Sequence, residues 1–195
     1  MPITLDTMAT STLEREHSLI LEVLTCMAVV ADELDRGRSI EPDVLDQFVE
    51  FFRVFVEGAH IRKEETILFT ALEKKGVPVN GCPLDLPRNE HLQGQALFAD
   101  LIDSVSAYRA GEKGGASAVA RSLRRLASFY ALHTWNEDHL VFPIANKFLS
   151  PDDQDNVYEQ FAAMDSENGA GFQVRFRNMA RELVRTVSNW KTSVR

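Results

Sequence analysis

The chain has 195 residues, of which 45% are hydrophobic and 26% charged, a composition ordinary for a single folded domain. Its net charge is −8 and its lysines and arginines are dispersed, which argues against a nucleic-acid partner. The sequence shows no membrane-spanning apolar run, no signal peptide and no disulfide framework, so we expect a cytoplasmic location and no membrane partner.

Six helices are predicted from apolar residues at helical spacing and from start and stop signals. Ser11 and Glu14 form a capping box at the first start, and Pro143 should kink the fourth helix. A proline- and glycine-rich loop containing Cys82 separates the second helix from the third. The predicted ranges are about 12–36, 42–75, 88–110, 117 onward through Pro143, 151–164 and 172–190.

No stretch shows the alternation typical of a strand, so the fold class is predicted to be all-α. We interpret residues 10–150 as an up-down four-helix bundle. Residues 151–195 are interpreted as a two-helix C-terminal extension packed on the same domain.

Two stretches share a pattern of His-x-x-x-Glu followed by a second acid and an apolar pair ending in phenylalanine. The first carries His60 and Glu64, and the second carries His133 and Glu137. Because four residues make about one helical turn, each histidine lies on the same helix face as its glutamate.

His17 and His91 extend this pattern to a repeat over most of the chain. His60 follows His17 by 43 residues, and His133 follows His91 by 42. Each predicted helical hairpin therefore supplies one histidine and then one motif. Two such hairpins, packed about a pseudo-twofold axis, would place four imidazoles and two carboxylates in one core.

A metal site explains this set better than isolated helical side-chain pairs. Two buried carboxylates facing each other would repel, and divalent cations between them remove that difficulty. Imidazole and carboxylate ligands suit iron, manganese or zinc, and either pairing of the histidines fits the spacing. The predicted metal ligands are His17, His60, Glu64, His91, His133 and Glu137.

Other polar residues near these ligands receive lesser roles. We expect Gln95 to point inward toward a bound ligand or water, Tyr130 to pack over the metals, and His139 to face away. Glu57 lies nearer the ligand face than the other acids beside the ligands do, and a role beside the ligands is the lesser alternative for it. Cys26 is expected to be a buried apolar residue. Four acids next to the ligands are expected on the surface or as outer partners of the ligands: Glu16, Glu65, Glu90 and Asp138.

At these residues the sequence resembles the hemerythrin-like family, also called the hemerythrin HHE cation-binding domain, over about residues 10–150. The six ligands carry the resemblance, with Phe69 and Phe142-Pro143 trailing the two motifs. The resemblance implies a four-helix bundle with a non-haem di-iron centre whose glutamates bridge the irons. Manganese and zinc are possible substitutes for iron.

The family includes oxygen carriers, sensors of oxygen or iron, and proteins that repair oxidative or nitrosative damage. Oxygen-carrying members have a second histidine where this chain has Gln95, and Glu137 matches the subgroup with four histidines and two glutamates. This departure favours binding or sensing of O2, NO or iron, with a role in stress response. The alternative is a di-iron redox or repair protein acting on peroxide, NO or iron–sulfur centres. The residues leave open whether the protein is an enzyme and whether it forms a homodimer.

Overall fold

The computed structural model describes residues 8–78 and 83–192 of the chain, so Cys82 lies outside the described residues. Within these ranges the chain forms six helices and no strand, as predicted. The third helix begins at Asp85, three residues before the predicted start. We number the helices α1 (Thr10–Asp35), α2 (42–74), α3 (Asp85–Arg109), α4 (115–148), α5 (Pro151–Glu167) and α6 (Phe172–Thr192).

α2 and α4 change their hydrogen-bonding pattern at the two motif glutamates. The amide of Phe69 donates to the carbonyl of Glu64, and the amide of Phe142 donates to the carbonyl of Glu137, five residues earlier in each case. Such wide π turns are rare and occur often at functional sites. Besides α-helical turns, α2 contains the π-helical segments Phe51–His60 and Glu64–Leu68, and α4 contains Glu137–Val141.

The predicted capping box at the start of α1 is wrong. The helix begins at Thr10, with Ser11 already inside its first turn, and no side chain of the cap residue completes it. Instead, the amide of Ala9 donates to Oε1 of the buried Gln154 on α5, at 2.9 Å. The extension therefore satisfies a backbone donor at the first turn of α1.

α5 begins with a capping box at the predicted start signal. Ser150 Oγ accepts from the amide of Asp153 at 3.3 Å, and Asp153 Oδ2 accepts from the amide of Ser150 at 2.8 Å. Pro151 occupies the first helical position, where its missing N–H costs nothing. The local sequence is sufficient to explain why α5 starts at this point.

The bundle core consists of two apolar clusters at different levels along the helices. The larger cluster joins α1–α4 with α6, and the smaller one joins α1, α2 and α4 with α5. In α1, α3 and α4 the predicted ligands lie between residues of the larger cluster and residues at or near the smaller one. In α2, His60 lies at the end of the larger cluster, and Glu64 lies between Ile61 of the larger cluster and Ile67 of the smaller one. Among the described residues, no helix is long and apolar enough to cross a membrane.

Candidate metal centre

The structure brings the six predicted ligands together at one level of the bundle. Each is at most 2% exposed, and each of the first four helices contributes at least one of them. We call these residues the cage: His17, His60, Glu64, His91, His133 and Glu137.

The first hairpin's histidines face both glutamates. His17 Nε2 lies 3.2 Å from Glu137 Oε2 and 3.7 Å from Glu64 Oε1. His60 Nε2 lies 3.4 Å from the same Glu64 oxygen. These four residues can each offer a ligand atom within 4.8 Å of the others, so they form one group able to hold an ion.

The second hairpin repeats this arrangement. His91 Nε2 lies 3.3 Å from Glu64 Oε2 and 3.6 Å from Glu137 Oε1. His133 Nε2 lies 3.3 Å from Glu137 Oε2. They form a second group with both glutamates. The geometry therefore pairs histidines of the same hairpin, a choice that the spacing alone left open.

The inward-facing atoms of the cage are buried and make no hydrogen bond within the described residues. They are the Nε2 atoms of the four histidines and both carboxylate oxygens of each glutamate. Leaving so many buried polar atoms without partners is costly unless something else satisfies them. Ligand atoms about 2.1 Å from a shared ion, at right angles, lie roughly 3 Å apart, so the observed spacings suit metal coordination after a small contraction.

The outer nitrogens of two histidines contact the acids that precede the other two. His60 Nδ1 lies 2.9 Å from Glu16 Oε2, and His133 Nδ1 lies 2.9 Å from Glu90 Oε2. A carboxylate can only accept, so each Nδ1 donates, and in the neutral imidazole this leaves the lone pair of Nε2 directed into the cage. Glu16 and Glu90 thus serve as outer partners of ligands, one of the two alternatives that the sequence left open.

The acids that follow the motif glutamates complete the same pattern. His17 Nδ1 lies 2.7 Å from Asp138 Oδ1, and His91 Nδ1 lies 2.6 Å from Glu65 Oε1. Both acids are about one third exposed, at 30% and 33%. Every cage histidine therefore has a carboxylate on its outer nitrogen, a contact that orients the ring and would strengthen the neutral imidazole as a metal ligand.

Aromatic rings cover one histidine in each half of the cage. The ring of Phe142 stacks on His17 with centroids 5.3 Å apart, and Phe69 stacks on His91 at 6.2 Å. Both phenylalanines are fully buried and directly follow the π turns. Both belong to the smaller apolar cluster, so they pack that cluster against the imidazole faces.

The cage carboxylates strongly alter the pKa values of the histidines. Burial alone would lower the pKa of His91, but its contacts with Glu137, Glu64 and Glu65 raise it to about 11. The pKa of His17 is likewise raised well above its ordinary value, against the effect of burial. In turn, the imidazoles outweigh the effect of burial on Glu137 and hold its pKa well below the usual range. The cage carboxylates therefore favour positive charge on the imidazoles that face them.

The prediction that Gln95 points inward is wrong. Gln95 is exposed, and Leu21, which lies at the same distance after His17, is 39% exposed. The buried positions are three residues after the histidines, at Ile20 and Gly94. The core-facing side of α3 runs from His91 to Gly94, three residues later. Gln95, four residues after His91, falls beyond the edge of that side.

Glu57 and Tyr130 occupy equivalent positions, three residues before the motif histidines. Glu57 Oε1 and the Tyr130 hydroxyl are buried without a hydrogen-bond partner among the described residues. The Tyr130 ring lies 5.6 Å from that of His133, so it packs beside the cage as expected. Burial, together with the charges of Glu57 and the cage glutamates, raises the pKa of Tyr130 and keeps its hydroxyl protonated.

Two other predictions about nearby residues are confirmed. His139 is exposed, its ring stacks on Trp135 at 4.4 Å, and its Nδ1 contacts the Trp135 carbonyl. Cys26 is buried in the larger apolar cluster. Neither belongs to the groups that could hold an ion.

The sequence reasoning missed the residues three positions after the motif histidines. Lys63 is completely buried and its Nζ lies 2.5 Å from Glu16 Oε1. Asn136, the equivalent residue in α4, donates to Glu90 Oε1 at 2.7 Å. The internal repeat was the available signal, because aligning the two motifs places Lys63 opposite Asn136.

Comparison with known proteins identifies relatives of low identity. The chain is 24% identical over 165 residues to the uncharacterized proteins Rv1995 and MT2051 of Mycobacterium tuberculosis and Mb2018 of Mycobacterium bovis. The matches cover 83% of this chain and 63% of each relative, so the chain spans less than two thirds of their length. No solved structure matches the chain significantly.

A family comparison gives a more definite result. Residues 8–145 match the hemerythrin HHE cation-binding domain, a range that contains all six cage residues and ends before α5. The match agrees with the helical bundle and with the buried histidine and glutamate groups. The chain therefore belongs to the hemerythrin HHE cation-binding domain family.

Proposed function

We propose that the chain binds two iron ions in its cage and uses them to bind or sense a small ligand, O2 or NO, or iron itself. The two histidines of each hairpin would hold one ion, and both glutamates would bridge the ions. The observation that carries the proposal is the set of buried Nε2 and carboxylate atoms that face one another without hydrogen bonds. Nitrogen and oxygen ligands of this kind also accept manganese or zinc.

The protein's own residues prepare the cage for cations. The outer carboxylates orient the histidine rings, and Phe69 and Phe142 pack against two of them. When bound, a pair of iron ions supplies redox and Lewis-acid chemistry toward a small ligand. Because no cage residue is more than 2% exposed, a diatomic molecule or a bare cation fits this site better than a large substrate.

Metal analysis tests this proposal directly. Protein reconstituted anaerobically with ferrous iron should retain two irons per chain, and after exposure to air it should absorb in the near ultraviolet, with a shift on addition of azide. Glu64→Ala should sharply reduce the iron content. His139→Ala is the matched control and should retain it, because His139 lies outside the cage. Wild-type protein that retains no transition metal would refute the proposal.

A di-iron redox or repair function is the second candidate, and the Tyr130 hydroxyl favours it. This hydroxyl is protonated, buried and without a hydrogen-bond partner among the described residues, so it can donate a hydrogen bond to a small ligand. Cycling the iron protein between O2 and vacuum separates the two functions. A reversible spectrum supports binding, whereas one-way oxidation with consumption of peroxide supports redox chemistry.

A further inference from the structure

A buried cation links the cage to the C-terminal extension. Lys63 Nζ lies between two carboxylates, 2.5 Å from Glu16 Oε1 and 2.7 Å from Asp165 Oδ1. Lys63 is 0% exposed, and a charge buried this deeply is stable only when it is paired and hydrogen-bonded. Asp165 lies on α5, so one of the two carboxylates that stabilise Lys63 comes from the extension.

α6 supplies another member of the same network. Gln173 Nε2 donates to Glu16 Oε1 at 2.7 Å and lies 3.0 Å from Asp165 Oδ2. One oxygen of Glu16 therefore contacts Lys63 and Gln173, while its other oxygen accepts from His60 Nδ1. The orientation of a cage histidine thus depends on a carboxylate that α5 and α6 help to hold.

The second half of the cage is built differently. Glu90, the equivalent of Glu16, accepts from His133 and from the neutral Asn136, both on α4. The family match ends at residue 145, so Asp165 and Gln173 lie outside the part of the chain that the family defines. The link between His60 and the extension is therefore a feature of this chain rather than of the repeat.

We propose that Asp165 and Gln173 are positioning residues for His60, and that metal binding and docking of α5–α6 are energetically coupled through Lys63 and Glu16. Without the charge of Asp165, Glu16 is the remaining carboxylate partner of Lys63, and the ammonium draws it away from His60. Asp165 shares this cation and leaves Glu16 Oε2 for the imidazole. The inference rests on the proposed function, since it requires that the cage takes up a metal cation.

Coupling of this kind is reciprocal. If the docked extension improves the orientation of His60, then a metal ion bound to His60 must stabilise the docked extension by the same free energy. The state of the cage is thereby transmitted to two surface helices, which suits a protein that reports the presence of a metal or its ligand.

Asp165→Asn tests the inference, with Asp155→Asn, an exposed acid on the same helix, as the matched control. Zn²⁺ is used as the probe because it is redox-inert, and its affinity is measured by competition with a chromophoric chelator. Loss of an outer partner typically costs about 10–100-fold in metal affinity, and we expect roughly tenfold weaker binding for Asp165→Asn. Asp155→Asn should bind as wild type. Equal affinity of Asp165→Asn and wild type would overturn the inference.

Hydrogen exchange and a double variant distinguish positioning from simple destabilisation. Zn²⁺ should slow amide exchange in α5 and α6 of wild type, and this protection should be lost in Asp165→Asn. Lys63→Met combined with Asp165→Asn should recover most of the affinity, because no cation then competes with His60 for Glu16. If the double variant binds Zn²⁺ no more tightly than Asp165→Asn does, the positioning role is contradicted.

Two further outcomes complete the test. If Asp165→Asn does not fold, Gln173→Ala, at a partly exposed position, should show a several-fold loss of Zn²⁺ affinity, and unchanged affinity would overturn the inference. Wild-type protein that binds neither Zn²⁺ nor iron would refute the proposed function as well. Wild-type protein that binds two ions, with Asp165→Asn identical to it, would refute only the coupling.

Discussion

The hydroxyl of Tyr130 lies directly against the backbone of Gly94. A Cβ atom at Gly94 would lie 2.5 Å from the hydroxyl oxygen and 2.9 Å from the ring carbon that carries it. Glycine at this position therefore lets α3 and α4 approach closely beside the cage, with the tyrosine ring between the helices. Ile20 occupies the equivalent position in α1, so the repeat is broken to accommodate the ring.

Gly94→Ala should destabilise the protein because the tyrosine ring must move to admit the new methyl group. Overpacking of this kind typically costs about 1–3 kcal/mol of unfolding free energy, which urea denaturation of the metal-free protein can measure. Tyr130→Phe alone should cost little, since its buried hydroxyl makes no hydrogen bond within the described chain. Adding Tyr130→Phe to Gly94→Ala should recover part of the loss. Strictly additive effects would show that the two residues do not clash.

Glu90→Gln should weaken metal binding by roughly tenfold or more, because it removes the charge that strengthens His133 as a ligand. The substitution keeps the shape of the side chain and its contact with Asn136. Competition titration with Zn²⁺ measures the effect. Asp103→Asn, an exposed acid on the same helix, serves as the control and should leave the affinity unchanged. Equal affinities of the two variants would show that the outer carboxylate has no influence on the ligand.

Metal binding should release protons and should strengthen as the pH rises. The pKa of His91 is about 11 in the absence of a metal ion and that of His17 is also raised, so a cation must displace their protons at neutral pH. Each displaced proton changes the affinity by about tenfold per pH unit. Calorimetry in buffers of different ionisation enthalpy measures the number released, and a value of zero would contradict the prediction.

The metal-free protein should lose stability in alkaline solution. In the folded protein the pKa of His91 is raised from 6.5 to about 11. Its protonated imidazole therefore contributes fully to the free energy of unfolding below pH 6.5, and this contribution is lost as the pH rises toward 11. Glu137 has the opposite pH dependence. Because its pKa is lowered, its carboxylate stabilises the fold at neutral and alkaline pH, and that stabilisation is lost only in strong acid. Urea midpoints between pH 7 and 10 measure the first effect. Midpoints that stay constant over this range would show that the imidazolium does not stabilise the fold.

Ser150→Ala should destabilise α5 by about 1 kcal/mol, since it removes the side chain that caps the helix at its first turn. Urea denaturation provides the measurement. Ser166→Ala is the matched control, because this exposed serine only donates to the carbonyl of Ala162 on the same helix. If both variants unfold at the same urea concentration, the capping box contributes nothing measurable.

The residues that share a helix face were predictable from the sequence, whereas contacts between distant segments were not. His17 and His91 were found because each precedes a motif histidine by nearly the same distance, 43 and 42 residues, and helical periodicity then placed the motif glutamates. Gln95 was misplaced because the predicted face used the i+4 position, whereas α3 buries Gly94. Glycine has no side chain to add to the apolar periodicity, so the close approach of Tyr130 to Gly94 is visible only in the structure.

The π turns and the network around Lys63 escaped prediction for different reasons. A wide turn leaves no mark in residue type at Glu64 or Glu137, since it depends on how the helix packs around the cage. Lysine is a residue type usually found on the surface, and the burial of Lys63 depends on Asp165, about 100 residues later. Ala9 and Gln154 pair across 145 residues for the same reason. Such pairs depend on tertiary packing, which local patterns do not encode.

The hydrogen bond between Ala9 and Gln154 also indicates when, during synthesis of the chain, contacts of the bundle can form. The first turn of α1 and the carboxylate behind His60 are both finished by residues of α5 and α6. These helices leave the ribosome after all six cage residues have emerged. A nascent chain with only α1–α4 exposed therefore already carries all six cage residues but lacks contacts that hold the carboxylate behind His60. If the proposed coupling holds, full-strength metal uptake therefore requires that α5 and α6 have been synthesised as well.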